Sequence, residues 1–204
     1  MSSALAIDGA DTGHMGELIA QVDSDTGEVV GEVDKGLAHR DGIWHATIHV
    51  WVIDRDGRIL LQHRAYDKKH FPGMWDISAA GHIAPGESGA REVQEELGAD
   101  VDINDLEFVG ILSLDHVSPG FVNRERPRVY LWRTDRTADS FTFSDGEVIG
   151  LAPLTIQQLE ALIAGTAVLV PVWRGTETVV ETIQPAALAS LGDPYWTALL
   201  AKLR

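Results

Sequence analysis

Residues 81–99 read GHIAPGESGAREVQEELGA, and they place Glu92, Glu95 and Glu96 within little more than one turn of an expected helix. On a helix these positions stand at i, i+3 and i+4 and share one face, while Val93 and Leu97 form an opposite apolar stripe that turns to a core. The helix signal runs from about Gly89 to Leu97, and Gly98 is an ordinary helix stop. Arg91 is the nearest base and cannot serve all three acids. A hard divalent cation with oxygen ligands, Mg²⁺ or Mn²⁺, would neutralise them and would suit a cleft that also holds phosphate oxygens. The segment on its own also fits a solvated acidic face.

The surroundings bear on that choice. Gly81 and Gly86 bracket the loop before the helix, and upstream HRAYDKKHFPG gathers Arg64, Lys68, Lys69 and His70. Elsewhere the chain is short of base, with 16 Lys and Arg against 31 Asp and Glu and a formal net charge of -15. Such a field repels nucleic acid and anionic membranes. A small anionic substrate would therefore need this local cationic patch or a bound metal. The chain has no cysteine, which removes disulfides, zinc-thiolate sites and a thiol nucleophile.

At 204 residues, 45% of them hydrophobic, the chain can bury one sizeable core. No run of about 18 apolar residues and no secretory signal pattern appears, so a cytoplasmic protein is expected. Residues 1–15 read as a flexible tail and 16–204 as a single domain. An N-terminal β-hairpin is expected from ELIAQVD and VVGEVD, with Gly27 at a positive φ in the turn. A second hairpin runs through WHATIHVWVID, RDG and RILLQHRA. Further strands are expected at DISAA, LEFVGILSLDH, PRVYLWRTD and GEVIGLAPL, and helices at TIQQLEALIAG and PAALASLGDPYWTALLAKLR. The fold class is α/β or α+β with a mixed β-sheet. In the last helix Trp196, Leu199, Leu200 and Leu203 lie on one stripe that can cover the sheet.

The stretch at 81–99 resembles the Nudix box, G-x5-E-x7-R-E-U-x-E-E-x-G-U with U aliphatic. Gly81, Glu87, Arg91, Glu92, Val93, Glu95, Glu96 and Gly98 take its fixed positions, with Ala99 for the last aliphatic. The resemblance implies the Nudix fold, a mixed sheet between helices. One departure is large: between Glu87 and Arg91 stand three residues, SGA, where the pattern has seven. Four residues are about one helical turn, so the acidic face keeps its phase within about 40° but shifts roughly 6 Å along the axis. A genuine deletion would displace Glu87; residues missing from the sequence are the other explanation.

Similarity extends from about Ile19 to Leu162 and points to the branch that contains the type 1 isopentenyl diphosphate isomerases and the Nudix hydrolases near them. The isomerase resemblance implies a catalytic cysteine, a catalytic glutamate and a metal held by three histidines and two glutamates. Here Ala80 takes the cysteine position, Asn123 one glutamate position and Glu125 the other. Isomerisation is rejected on that ground. His39, His45 and His82 fall at or near the three histidine positions and are candidates for a second metal. Arg64 and Lys68 match the residues that hold the diphosphate.

The expected function is metal-dependent hydrolysis of the diphosphate bond in a small organic diphosphate, nucleoside- or prenyl-type. Mg²⁺ or Mn²⁺ is expected on Glu92, Glu95 and Glu96, helped by the Gly81 carbonyl, with Glu125 and Glu147 as candidate acids outside the box. Arg64 and Lys68 are expected to bind substrate. The alternative is a catalytically impaired Nudix-fold protein that binds a diphosphate. No nucleic acid or membrane partner is expected, and a homodimer stays open. Trp44, Trp51, Trp75 and Phe71 can stack on a base or cover a prenyl chain, although such residues usually pack.

Overall fold

Strand β3 (His45–Ile53) is buried along all nine residues, and its alternation sorts them between two faces. Ala46, Ile48, Val50 and Val52 enter one core, with Val93 and Leu97 of the acidic helix. Trp51 and Ile53 enter the other, with Leu159, Leu162, Tyr195 and Leu199. A strand covered on both faces reads as a continuous apolar run, and β3 is the spine of the molecule. In the computed structural model the described residues are 16–143 and 146–204; the expected tail at 1–15 lies outside them.

The sheet is mixed, as expected. Its main path runs β12 (Thr178–Ile183), β11 (Val168–Trp173), β10 (Val148–Leu154), β4 (Ile59–Arg64), β3, β1 (Leu18–Val22) and β2 (Val29–Asp34). Most pairs are antiparallel, and β9 (Phe121–Arg133) runs parallel to β3 in the register His45↔Glu125 to Ile53↔Arg133. The N-terminal hairpin β1–β2 forms with Gly27 at φ 72. Among the described residues four α-helices accompany the strands: α1 (Lys35–Asp41), α2 (Arg91–Leu97), α3 (Ile156–Ile163) and α4 (Asp193–Leu203).

Several expected boundaries move. DISAA divides into β5 (Trp75–Asp76) and β6 (Ala79–His82), because the Ser78 hydroxyl leaves the ladder. Ser78 Oγ accepts from Val52 N at 2.9 Å and donates to Leu60 O at 2.5 Å, wedged between β3 and β4. LEFVGILSLDH likewise divides into β7 (Glu107–Ile111) and β8 (Leu114–Ser118). The break falls opposite Pro127 of β9, which has no N–H to donate; Leu112 N donates to the Pro127 carbonyl instead, at 3.0 Å.

Helix α2 starts at Arg91 rather than Gly89, since Gly89 sits at φ 83, where an added Cβ would meet Ile48 and Ile83. The last expected helix keeps only 193–203 as α-helix, with a single 3₁₀ turn at Pro185–Ala187 before it. Pro194 suits a first turn, which has no partner for its missing N–H. Trp196 and Leu199 of the expected stripe are buried, and Leu200 and Leu203 pack at its margin. Among the described residues no helix is long and apolar enough to cross a membrane.

Candidate active site

The acidic helix closes on β6 through its glutamates. Glu96 is buried and its Oε2 accepts from Ala80 N at 3.0 Å and from Gln62 Nε2 at 2.8 Å. Glu92 lies so close to β6 that a Cβ on Gly81 would stand 2.1 Å from its Oε2. Only glycine leaves that side chain its place. Burial pushes Glu96 up to about 8, against the pull of its two hydrogen bonds and with the help of the Glu92 charge. Burial likewise pushes Glu92 up to about 7, with Arg91 pulling it down and Glu95 pushing it up.

Glu95 takes a different direction from its two neighbours. Its carboxylate is about half exposed, 2.7 Å from Arg91 Nη1, and Arg91 Nε holds Glu87 at 2.9 Å. Arg91 also approaches Glu92 at 3.3 Å. It therefore ties together Glu87, Glu92 and Glu95, while Glu96 is left to the strand. Despite the short connection SGA, Glu87 still reaches the arginine of the box.

The three histidines converge from three elements. Asp34 caps α1 by accepting from Leu37 N, Gly42 ends it at φ 69, and this short helix delivers His39. His45 opens β3 and His82 closes β6. One ring nitrogen from each lies within 4.8 Å of the others. His45 Nδ1 donates to Ile43 O at 2.9 Å, so its buried Nε2 carries a lone pair, and that atom has no partner. His39 Nε2 and His82 Nε2 face each other at 3.1 Å, and His39 Nδ1 is buried without a partner. Burial, then the neighbouring His45, lowers His39 to about 4, and burial lowers His82 to about 3. Neutral imidazoles with unspent lone pairs are the form that binds a cation.

Glu125 stands opposite His45 in the β3–β9 ladder. Its Oε1 accepts from Asn123 Nδ2 at 2.8 Å and its Oε2 from Thr47 Oγ1 at 3.4 Å. His49 Nε2 lies 3.6 Å from Oε2. Burial alone would raise this carboxyl, but hydrogen bonding from His49 and the nearness of the imidazoles outweigh it and hold the group well below the usual carboxylate range.

Glu92, Glu95 and Glu96 and, of the other set, His39, His82 and Glu125 line one cleft of ≈ 1600 Å³, whose wall also carries Arg64, Lys68, Lys69 and Glu147, while His45 is fully buried beside it. Arg64 donates to the His70 carbonyl at 3.2 Å and faces Asp76 at 3.5 Å, and its buried Nε has no partner. Lys68 meets Glu147 at 2.5 Å. Of the aromatics, Trp51 and Trp75 are buried packing residues, Trp44 lies beside the α2 core, and Phe71 lines the cleft with a strained φ of 54. Sequence reasoning passed over Gln62, Thr47 and His49. The signal for the last two was the alternation of β3, which puts them on the face of His45.

Fold and cleft together define a Nudix protein. The NUDIX domain model matches residues 44–172, and the chain belongs to that family. It is 35% identical over 137 residues to an uncharacterized Nudix hydrolase of Clostridium acetobutylicum, covering 64% of this chain and 66% of that protein. It is 34% identical over 122 residues to an isopentenyl-diphosphate Delta-isomerase of Serratia proteamaculans, covering 57% and 66%. The matched stretch thus spans just under two thirds of each of these relatives. A crystal structure of a Deinococcus radiodurans protein shares the fold with TM-score 0.56 at 24% identity, covering 90% of this chain and 98% of that one.

Proposed function

We propose that this chain is a divalent-metal-dependent hydrolase that cleaves the diphosphate bond of a small organic diphosphate, nucleoside- or prenyl-type. The observation that carries this reading is the pair Glu92 and Glu96, folded onto β6 in the same cleft as Arg64 and Lys68. Membership of the family supports hydrolysis of this general type.

The donor set fits Mg²⁺ or Mn²⁺. Two carboxylates whose burial makes them costly to ionise call for a cation, and Glu92 and Glu96 would hold it, with the Gly81 carbonyl alongside and Glu95 at the rim. His39 Nε2 and His82 Nε2, which face each other at 3.1 Å, with the partnerless Nε2 of His45 and with Glu125, would hold a second. Bound there, a divalent metal neutralises phosphate charge and lowers the pKa of an attacking water.

The protein's own residues do the rest. Arg64 offers its guanidinium, and Lys68 its ammonium in exchange for Glu147, to the phosphate oxygens. Gln62 and the Ala80 amide aim Glu96. Of the two outer acids Glu125 stands inside the cleft with the histidines, and Glu147 stands with Lys68.

The second reading, a diphosphate-binding protein without turnover, is favoured by the short connection into α2, a helix of seven residues. Isomerisation lacks its thiol, since the side chain at 80 is a methyl group. Phosphate or nucleotide release from nucleoside di- and triphosphates, nucleotide sugars and prenyl diphosphates, with Mg²⁺ and Mn²⁺, tests the proposal. Turnover lost in Glu96→Gln supports it. Thermal stabilisation by Mn²⁺ plus a diphosphate, with no release, would replace it by the binding reading.

A further inference from the structure

A buried chain of polar groups runs from α4 through the sheet to the cleft. Trp51 Nε1 lies 2.9 Å from the Tyr195 hydroxyl, and that hydroxyl lies 2.9 Å from His49 Nδ1. On the far side of the ring, His49 Nε2 faces Glu125 Oε2 at 3.6 Å. Trp51, His49 and Tyr195 are each less than a twentieth exposed, so no solvent supplies missing partners.

Hydrogen-bond chemistry gives this chain one direction. The indole nitrogen can only donate, so the Tyr195 oxygen accepts from Trp51. The phenol has one proton left to place, and His49 Nδ1 is the acceptor beside it. Nδ1 then carries the lone pair and Nε2 the proton. The opposite tautomer would leave the Tyr195 proton without an acceptor and turn a lone pair toward a carboxylate oxygen, two faults in a dry interior.

We infer that His49 and Tyr195 are positioning residues for Glu125: the Tyr195 hydroxyl fixes the His49 ring so that its Nε2–H faces the Glu125 carboxylate and keeps it aimed into the cleft. The inference rests on the hydrolase reading for its effect on turnover, though not for the tautomer itself. It gives α4, which brings none of the charged or ligating groups, a part in the chemistry. At 3.6 Å the N–H acts on the carboxylate as a close dipole, longer than a full hydrogen bond, beside the Thr47 hydroxyl that donates to the same Oε2 at 3.4 Å.

Two measurements test it. The first is ¹⁵N NMR of the histidine rings in the metal-free chain at neutral pH, in wild type and Tyr195→Phe. Wild-type His49 is expected as the Nε2–H form, with an Nδ1–H population appearing in Tyr195→Phe; an Nδ1–H ring in the wild type overturns the inference. The second is kinetics of His49→Leu and His49→Gln beside thermal unfolding. His49→Leu is expected to lower kcat about 10-fold or more with KM within about two-fold, and His49→Gln, which restores a donor near Nε2, to recover most of it. A folded His49→Leu with kcat within about two-fold of wild type overturns the inference. Absence of turnover in the wild type would instead count against the hydrolase reading, and the tautomer measurement then decides the positioning inference, whereas full turnover in Glu125→Gln would overturn the inference that aiming this carboxylate serves the reaction.

Discussion

Gly81→Ala isolates the fit between β6 and the acidic helix. The added Cβ would stand 2.1 Å from Glu92 Oε2, 2.2 Å from its Cδ and 2.7 Å from its Cγ. A carbon–oxygen contact settles above about 3 Å, so the carboxylate has to retreat by at least about 1 Å. The obstacle is a side-chain end, and Glu92 can swing aside without moving the backbone. Removing a glycine also lowers the entropy of the unfolded chain, worth about 0.4–1 kcal/mol where the conformation is compatible. Stability is therefore expected to stay within about 1 kcal/mol of wild type. Activity is not. Displacement of a reacting or ligating group by about 1 Å can cost on the order of 10²-fold in rate. Urea unfolding, Mn²⁺ titration by calorimetry and steady-state kinetics measure the three effects. A variant that folds like wild type and turns over within about three-fold of it would refute the argument that Glu92 has to sit against Gly81 for the cation site to work.

Three other predictions concern separate parts of the molecule. Glu96 has a folded pKa of about 8, raised by burial, so its contribution to stability is present below its unfolded pKa and is lost as pH rises toward 8. Between about pH 7 and 8, where His39 and His82 are mostly neutral in both states, the metal-free protein should lose about 1 kcal/mol through Glu96 by urea unfolding in chelator, and Glu96→Gln should remove most of that slope, with Glu92 supplying the remainder; an unchanged slope sinks the idea. His45→Ala removes a nitrogen whose lone pair has no protein partner, so bound Mn²⁺ or Zn²⁺ per chain in equilibrium dialysis should fall by about one equivalent; equal uptake by both proteins would mean the histidines hold no cation. Leu199→Ala, at a fully buried site where α4 covers the sheet, should cost about 2–5 kcal/mol in chemical denaturation, and a loss under about 1 would show that α4 is not part of the core.

The sequence showed its periodic elements well. The hairpin of β3 and β4, the apolar stripe Val93–Leu97 and the turn at Gly27 follow from alternation, helical spacing and a glycine φ, and each is where those rules place it. Helix α1 escaped notice because seven residues with a glycine in the first turn give almost no apolar period, although Asp34 and Gly42 mark both ends. Strands β11 and β12 were hidden by Pro171. The proline is tolerated because β11 joins β10 through the single pair Leu151↔Trp173 and spends its ladder on β12. For the site, residue identity pointed to Glu92, Glu96 and the histidines, but one face of a helix did not foretell that Glu95 would turn to Arg91 while Glu96 entered the sheet. That division depends on where β6 runs, which is a long-range fact. The chain through Tyr195 joins residues 146 positions apart, beyond any local pattern.

The parallel ladder between β3 and β9 sets His45 directly across from Glu125, and the same two strands carry His49 and Thr47. That half of the cleft is mounted on the frame, whereas Glu92 and Glu96 hang from a connection that enters the sheet at β6. The two mounts can change independently. Shortening the turn before α2 retunes the reach of the acids without touching the spacing of histidine and glutamate on the strands, while a slip of one residue in the ladder would throw Glu125 to the opposite face. A lineage built this way can vary one cation position by trimming a loop and keep the other as a fixed gauge.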